Sequence, residues 1–207
     1  MPAAASQSTR LGPRPFDPPL RIDWIDVADL RDGRPGRLGL TILPGKRGAS
    51  LRYPGRVYRR DLATDLATLA AAGIALLVLL VEDEELARWG DTEIVARAQA
   101  AGIALDRYPL ADGTAPRSTG EMDDLLARIA GARDTGDVAV ACMGGVGRSG
   151  TVAACALVAA GWSADAAIAR VRAVRHPTAV ETHEQIGFVQ HYERHIASHA
   201  SEGRVAP

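Results

Sequence analysis

Between Val138 and Thr151 the chain reads Val-Ala-Val-Ala-Cys-Met-Gly-Gly-Val-Gly-Arg-Ser-Gly-Thr, a short apolar run followed by glycines and then by an alanine-rich stretch. Val138, Val140 and their alanine neighbours predict a buried strand, and the run after Ser149 predicts a helix. The glycines therefore fall in a strand-to-helix turn, where backbone conformations closed to other residues become accessible. In such a turn the successive N–H groups of Met143, Gly144, Gly145, Val146, Gly147 and Arg148 can converge on one anion, with Cys142 at the bottom of the cup. The positive end of the following helix favours both a bound phosphate and a thiolate. Arg148 adds a planar fork that matches two phosphate oxygens. A free thiol with a pKa of about 8.5 falls to roughly 3.5–7.5 in such surroundings. Nucleophilic sulfur, anion cradle and fixed cation together describe phosphoryl transfer to sulfur.

Other uses of the loop fit less well. Gly145-Val-Gly147-Arg-Ser-Gly150 also matches a G-x-G-x-x-G dinucleotide pattern, but that site needs an acidic residue after a second strand about 20 residues on, and the region near Arg170 has helical spacing. A nucleotide P-loop needs a Lys-Ser or Lys-Thr pair after the glycines, and the chain's one lysine is Lys46. An inert buried cysteine beside a tight turn leaves the arginine and the anion nest unexplained.

Around this loop the sequence predicts an α/β domain. Leucines at 62, 66 and 69 mark a helix over Asp61–Ala72, Gly73 stops it, and Ala75–Val81 reads as a buried parallel strand. Helix, glycine and strand recur over Glu93–Ala101, Gly102 and Ile103–Tyr108, a rhythm that gives a central, mostly parallel sheet flanked by helices. Arg21–Val27 and Leu38–Leu43 are two further strands, as a hairpin or as neighbours. Ser118 and Ser163 are positioned to cap helices running to Ala132 and Arg175. Residues 20–200 form the expected domain. The proline-rich stretch 1–19 is read as a mobile arm and 201–207 as a frayed tail.

Net charge of −1 and a pI near 6.5 give no reason to expect nucleic acid or an acidic membrane as partner. Two cysteines make neither a disulfide framework nor a metal cluster, and Cys155, inside a helix, reads as a small core residue. The N-terminus lacks the apolar centre of a signal peptide, so a cytoplasmic location and a monomer are the default expectations. The excess of arginine over its single lysine resembles the bias of high-GC bacterial genomes, so an arginine carries little functional weight by itself. Arg170, Arg172, Arg175 and His176 read as a solvated helix end, or as a docking patch for an acidic partner. His191, His195 and His199 read as a solvated face, and no metal or cofactor is expected. Glu82-Asp-Glu-Glu85 reads as the acidic first turn of a helix, or as a cluster overlooking the site and repelling acidic substrates.

Cys142-x5-Arg148-Ser149 resembles the signature loop of cysteine-dependent phosphatases of the dual-specificity type, and Cys142-Met-Gly-Gly-Val-Gly-Arg-Ser most resembles that of the kinase-associated phosphatase family. Leu38-Gly-Leu-Thr-Ile-Leu-Pro-Gly45, Pro109-Leu-Ala-Asp-Gly-Thr-Ala-Pro116 and Val180-Glu-Thr-His-Glu-Gln185 are similar to segments of that family in the same order, covering roughly residues 20–195. The resemblance implies a cysteine-phosphatase fold and hydrolysis of phosphotyrosine, phosphoserine or phosphothreonine through a cysteinyl-phosphate. It also implies Asp112 as the general acid, where an Asp-Gly pair by itself favours a turn aspartate and only its place on a loop at the same sheet edge as Cys142 points toward the site. Ser149 would hydrogen-bond the sulfur. Gln185 has a complete explanation as a capping-box residue with Thr182, and the resemblance adds a role in placing the attacking water. Ala141 stands where the family usually has histidine, which removes one expected contributor to a low thiol pKa. A phosphate-reading module without turnover, a phosphatase of phosphoinositides or small esters, and an arsenate reductase or sulfurtransferase on the same loop are the alternatives.

Overall fold

The structure is a computed structural model, and it describes residues 17–50 and 52–202. Residues 1–16 of the expected arm and 203–207 of the expected tail lie outside the described residues. In chain order the elements are β1 (Asp23–Ile25), α1 (Val27–Leu30), β2 (Leu38–Ile42), β3 (Arg47–Ala49), β4 (Val57–Arg59), α2 (Leu62–Ala71), β5 (Ile74–Leu79), α3 (Asp83–Trp89), α4 (Ile94–Ala100), β6 (Ala104–Arg107), α5 (Thr119–Ala132), β7 (Asp137–Cys142), α6 (Arg148–Ala159), α7 (Ala164–Val174) and α8 (His183–Glu202).

β1, β2, β7, β5 and β6 form one sheet in that order, antiparallel only between β1 and β2. This is the expected single α/β domain with a mostly parallel sheet. Helices cover both faces, so the strands read as continuous apolar runs and the period-2 alternation sorts residues between two cores rather than between core and water. Val138, Val140 and Cys142 pack with Leu38, Leu40, Leu76 and Val78 against α5, α6, α7 and α8. Ala139 and Ala141 pack with Leu77 and Leu79 against α2, α3 and α4 on the other face.

Helix ends follow the sequence chemistry. Asp61, Ser118 and Ser163 each accept a backbone N–H from the first turn that follows, and Gly73, at φ +81°, ends the turn after α2. The strand expected over Arg21–Val27 is shorter: Asp26 accepts from the Ala28 amide and starts the one-turn α1. The β3–β4 hairpin was not predicted. All three β3 residues are exposed, so no apolar alternation marks the strand.

Because β2, β5, β6 and β7 are parallel, their carboxyl ends open on the same edge. That edge receives four segments from distant parts of the sequence: the turn leading to Lys46, the start of α3 with Glu85, the loop holding Asp112, and the glycine loop after Cys142.

Candidate active site

β7 ends at Cys142, and the glycine loop turns directly into α6, whose first residue is Arg148. Two glycines in the turn are required by their surroundings. Gly145 has φ +67°, and a Cβ there would meet the Thr41 carbonyl oxygen at 2.4 Å; a Cβ on Gly147 would lie 2.5 Å from a Glu181 carboxylate oxygen. The chain can thus pass close to β2 and to the start of α8 only without side chains at these positions.

Cys142 is buried, with its sulfur 3.2 Å from the Gly145 amide, which donates to it. Burial pushes the thiol pKa up, but the Arg148 guanidinium, the Ser149 hydroxyl and the amides of Ser149 and Val146 outweigh it, and the net direction is below the ordinary thiol value. The Ser149 hydroxyl is buried without a hydrogen bond of standard geometry. Cys155, by contrast, sits in the apolar core and burial holds its thiol well above the usual range. It is the inert core cysteine that the sequence predicts.

Ala141 needs a different account from the one the sequence suggested. Its side chain lies on the opposite face of the sheet from the sulfur, fully buried against the α2–α4 core. A histidine there would not project beside Cys142, and the thiolate is favoured from the α6 side instead.

Arg148 is 2% exposed. Nη1 donates to Glu85 Oε2 at 2.5 Å and to the Leu110 carbonyl at 2.8 Å; Nη2 donates to Glu85 Oε1 at 2.8 Å and to Asp112 Oδ1 at 3.0 Å. Glu85 is the partner that sequence reasoning missed. It does open α3, its Oε2 accepting the Glu82 amide, but the same carboxylate also forms a two-pronged pair with the guanidinium 63 residues away. The sequence places the acidic cluster at this edge, but its pairing depends on strand order and is not legible there.

Asp112 is 79% exposed at its side chain and touches the site through Arg148. Its loop is clamped to the start of α8: Thr182 Oγ1 donates to the Gly113 carbonyl, Gln185 Nε2 to the Thr114 carbonyl, and the Ala115 amide to Glu184. Gln185 is fully buried, and its Oε1 accepts the Glu181 and Thr182 amides while Thr182 Oγ1 accepts the Gln185 amide. This is the capping box read from the sequence. The side chain also lies against Gly147, where a Cβ would stand 3.1 Å from Oε1.

The arginines in the last turns of α7 and just beyond it, read as a solvated helix end or a docking patch, are bonded within the fold. Arg175 donates to the Gly145 and Gly144 carbonyls at 2.8 and 3.1 Å and pairs with Asp23; Arg172 donates to the Ala179 and Val180 carbonyls; Arg170 pairs with Asp29. By holding loop carbonyls outward, Arg175 favours amides that face inward. His195 departs from the expected solvated face as well, bonding Asp123 at 2.6 Å.

Beside the loop lies a cleft of about 600 Å³ lined by Lys46, Arg52, Tyr53, Tyr58, Glu82, Glu85, Trp89, Asp112, Met143, Gly144 and Glu181 among others. Arg52 is paired with Glu181.

The chain is similar in sequence and in fold to known proteins. Human cyclin-dependent kinase inhibitor 3 is 28% identical over 188 residues, covering 88% of this chain and 83% of the relative. A kinase associated phosphatase whose catalytic-site cysteine is replaced by serine superposes with a TM-score of 0.75 at 24% identity, over 88% of this chain and 98% of that one. Tk-PTP in its active form superposes with a TM-score of 0.61 at 30% identity, over 79% of this chain and 93% of that one. The model of the Swiss Army Knife protein DSP-PTPase phosphatase domain matches residues 55–205. The chain belongs to the DSP-PTPase phosphatase family.

Proposed function

We propose that the protein hydrolyses phosphate monoesters of tyrosine, serine or threonine side chains through a cysteinyl-phosphate intermediate, with Cys142 as nucleophile and Asp112 as general acid. The observation that carries this reading is the placing of one buried, thiolate-favouring cysteine beneath a glycine loop, with a buried guanidinium and an exposed carboxylate 3.0 Å apart above it.

A phosphate entering the cup takes the amides of residues 143–148 and a hydrogen bond from Arg148, displacing Asp112 from Nη2. Cys142 Sγ attacks phosphorus, the bond to the ester oxygen breaks, and Asp112, which enters this step in its acid form, delivers its proton to that leaving oxygen. Water then attacks the phosphorus of the cysteinyl-phosphate. Asp112, now ionised, accepts the water proton, and the thiolate departs with Ser149 and the α6 N-terminus to stabilise it. Glu85 holds Arg148 in register throughout. Gln185, beside Gly147, is the candidate for placing the water.

The cleft lining supports substrates with a single phosphate over polyphosphorylated ones: Glu82, Glu85, Asp112 and Glu181 outnumber Lys46 and Arg52. A thiolate nucleophile also suits a reducing compartment such as the cytoplasm. Among the described residues no helix is long and apolar enough to cross a membrane.

Turnover of an aryl phosphate by the parent and by Cys142→Ser tests the reading. The variant should fold and lose turnover, because a hydroxyl does not ionise at neutral pH; residual activity above about a tenth of the parent's would remove Cys142 as nucleophile. Phosphate binding without any turnover in the parent would favour a phosphate-reading module.

A further inference from the structure

The reaction outlined above leaves one buried ammonium unused. Lys46 follows the Pro44–Gly45 turn off the carboxyl end of β2, the strand next to β7, and is 6% exposed. The turn is held in place: the Gly45 amide donates to Asp65 Oδ2 at 2.8 Å, and Asp65 is locked by the buried Arg60 guanidinium. The Lys46 Nζ donates to the Met143 carbonyl at 3.1 Å and lies 4.0 Å from the centre of the Tyr58 ring. An ammonium has three donors. Met143 takes one and the Tyr58 face the electrostatic part of a second, which leaves one for the cleft that Lys46 lines with Gly144, Glu85 and Asp112. Met143 adjoins Cys142 in the chain, so the charge is fixed at the rim of the anion cup.

We propose that Lys46 is a further substrate-binding residue, its ammonium taking an oxygen of the phosphate that Cys142 attacks and serving with Arg148 as the second fixed cation of the site. This rests on the reading of the loop as the phosphate seat. Charged and titratable groups face Lys46 from each neighbouring element: Cys142 and Arg148 across the loop, Asp112 after β6, Glu85 on α3, and Tyr58 on β4, with Arg56 on the same ring. Burial, with Arg148 acting in the same direction, outweighs the pull of Cys142, Asp112 and Glu85 and brings the ammonium down to about 8. The cation is therefore present below about pH 8 and is lost above it, so phosphate affinity falls as pH rises through that value. An arginine in its place stays charged and shows no such fall.

The test measures phosphotyrosine binding by calorimetry between about pH 6.5 and 9.5, a range above the second phosphate ionisation of about 6. The protein is Cys142→Ser, so that binding is read without turnover. Affinity should weaken several-fold across a midpoint at or below about 8, the serine having removed one negative neighbour. Adding Lys46→Met should weaken it about tenfold at neutral pH, the worth of one charge-assisted hydrogen bond, with a flat profile. Adding Lys46→Arg should restore binding and keep the profile flat. Equal affinity in the Lys46→Met protein, or a fall with pH that survives there, overturns the proposal. Should these variants fail to fold, the parent decides: Lys46 is the chain's one lysine, so reductive methylation read by peptide mapping reports it alone, and saturating vanadate should slow its labelling several-fold. An unchanged rate overturns the proposal. Lys46-dependent binding in a protein whose parent shows no turnover would defeat the hydrolytic reading and leave this one standing.

Discussion

Asp112 and Arg148 illustrate how the roles of single residues follow from burial. Arg148, almost wholly enclosed, has its four Nη hydrogens on protein oxygens, so its position is set before any substrate arrives. Asp112 is exposed and bonds the guanidinium, a contact it can exchange for a substrate oxygen. On the proposed mechanism Asp112→Ala should depress turnover of an alkyl phosphate by about 10² to 10⁴, and that of an aryl phosphate with an acidic leaving group far less. Comparing both rates and the melting temperature on one preparation checks this. Equal losses on both substrates with a fallen melting temperature would return Asp112 to a turn residue. Cys142, Arg148, Asp112 and Ser149 were legible because their chemistry is local to one loop or is carried by a family segment. Glu85 and Lys46 were not, since each acquires its meaning from a partner brought near by the sheet: Arg148 is 63 positions from Glu85, and the Met143 carbonyl 97 from Lys46.

At the scale of elements, strand β7 sorts the site. Its alternation sends Cys142 toward α6 and Ala141 toward α2–α4, so the two neighbours experience different surroundings. Ala141→His should therefore destabilise the fold, by about 1–3 kcal/mol for forcing a larger group into a packed core, rather than lower the thiol pKa. Thermal unfolding together with an iodoacetamide alkylation profile against pH distinguishes the outcomes. A lowered thiol pKa at unchanged melting temperature would contradict this account of the strand. The parallel strands and most helices were legible because apolar periodicity and capping residues are local signals, as Ser118, Ser163 and the Thr182–Gln185 box show. The β3–β4 hairpin was not, because every residue but the half-buried Tyr58 is exposed and its pairing rests on backbone hydrogen bonds. Arg175 looked like one more surface charge in an arginine-rich chain, and its grip on the Gly144 and Gly145 carbonyls depends on how α7 packs.

Across the whole molecule, a mostly parallel sheet covered on both faces gathers four segments at one edge, and ion pairs and hydrogen bonds fix the turns that carry them. Asp65 and Arg60 hold the Gly45 turn, Arg175 joins the glycine loop to β1 through Asp23, and the start of α8 clamps the Asp112 loop. The fold in this way brings the Cys142 thiol, the Arg148 and Lys46 cations and the Asp112 carboxylate to one edge before any substrate binds, which is the condition for electrostatic stabilisation without reorganisation. The central claim is that phosphate passes through Cys142. Asp112→Ala, mixed with an aryl phosphate that needs no acid and quenched in acid within one turnover, should carry a phosphoryl group on the peptide containing Cys142, because the second step has lost its base. Addition of Cys142→Ser should abolish the adduct. Product release at the full rate with no phosphoryl group on that peptide, or an adduct that persists in the Cys142→Ser protein, would contradict the account.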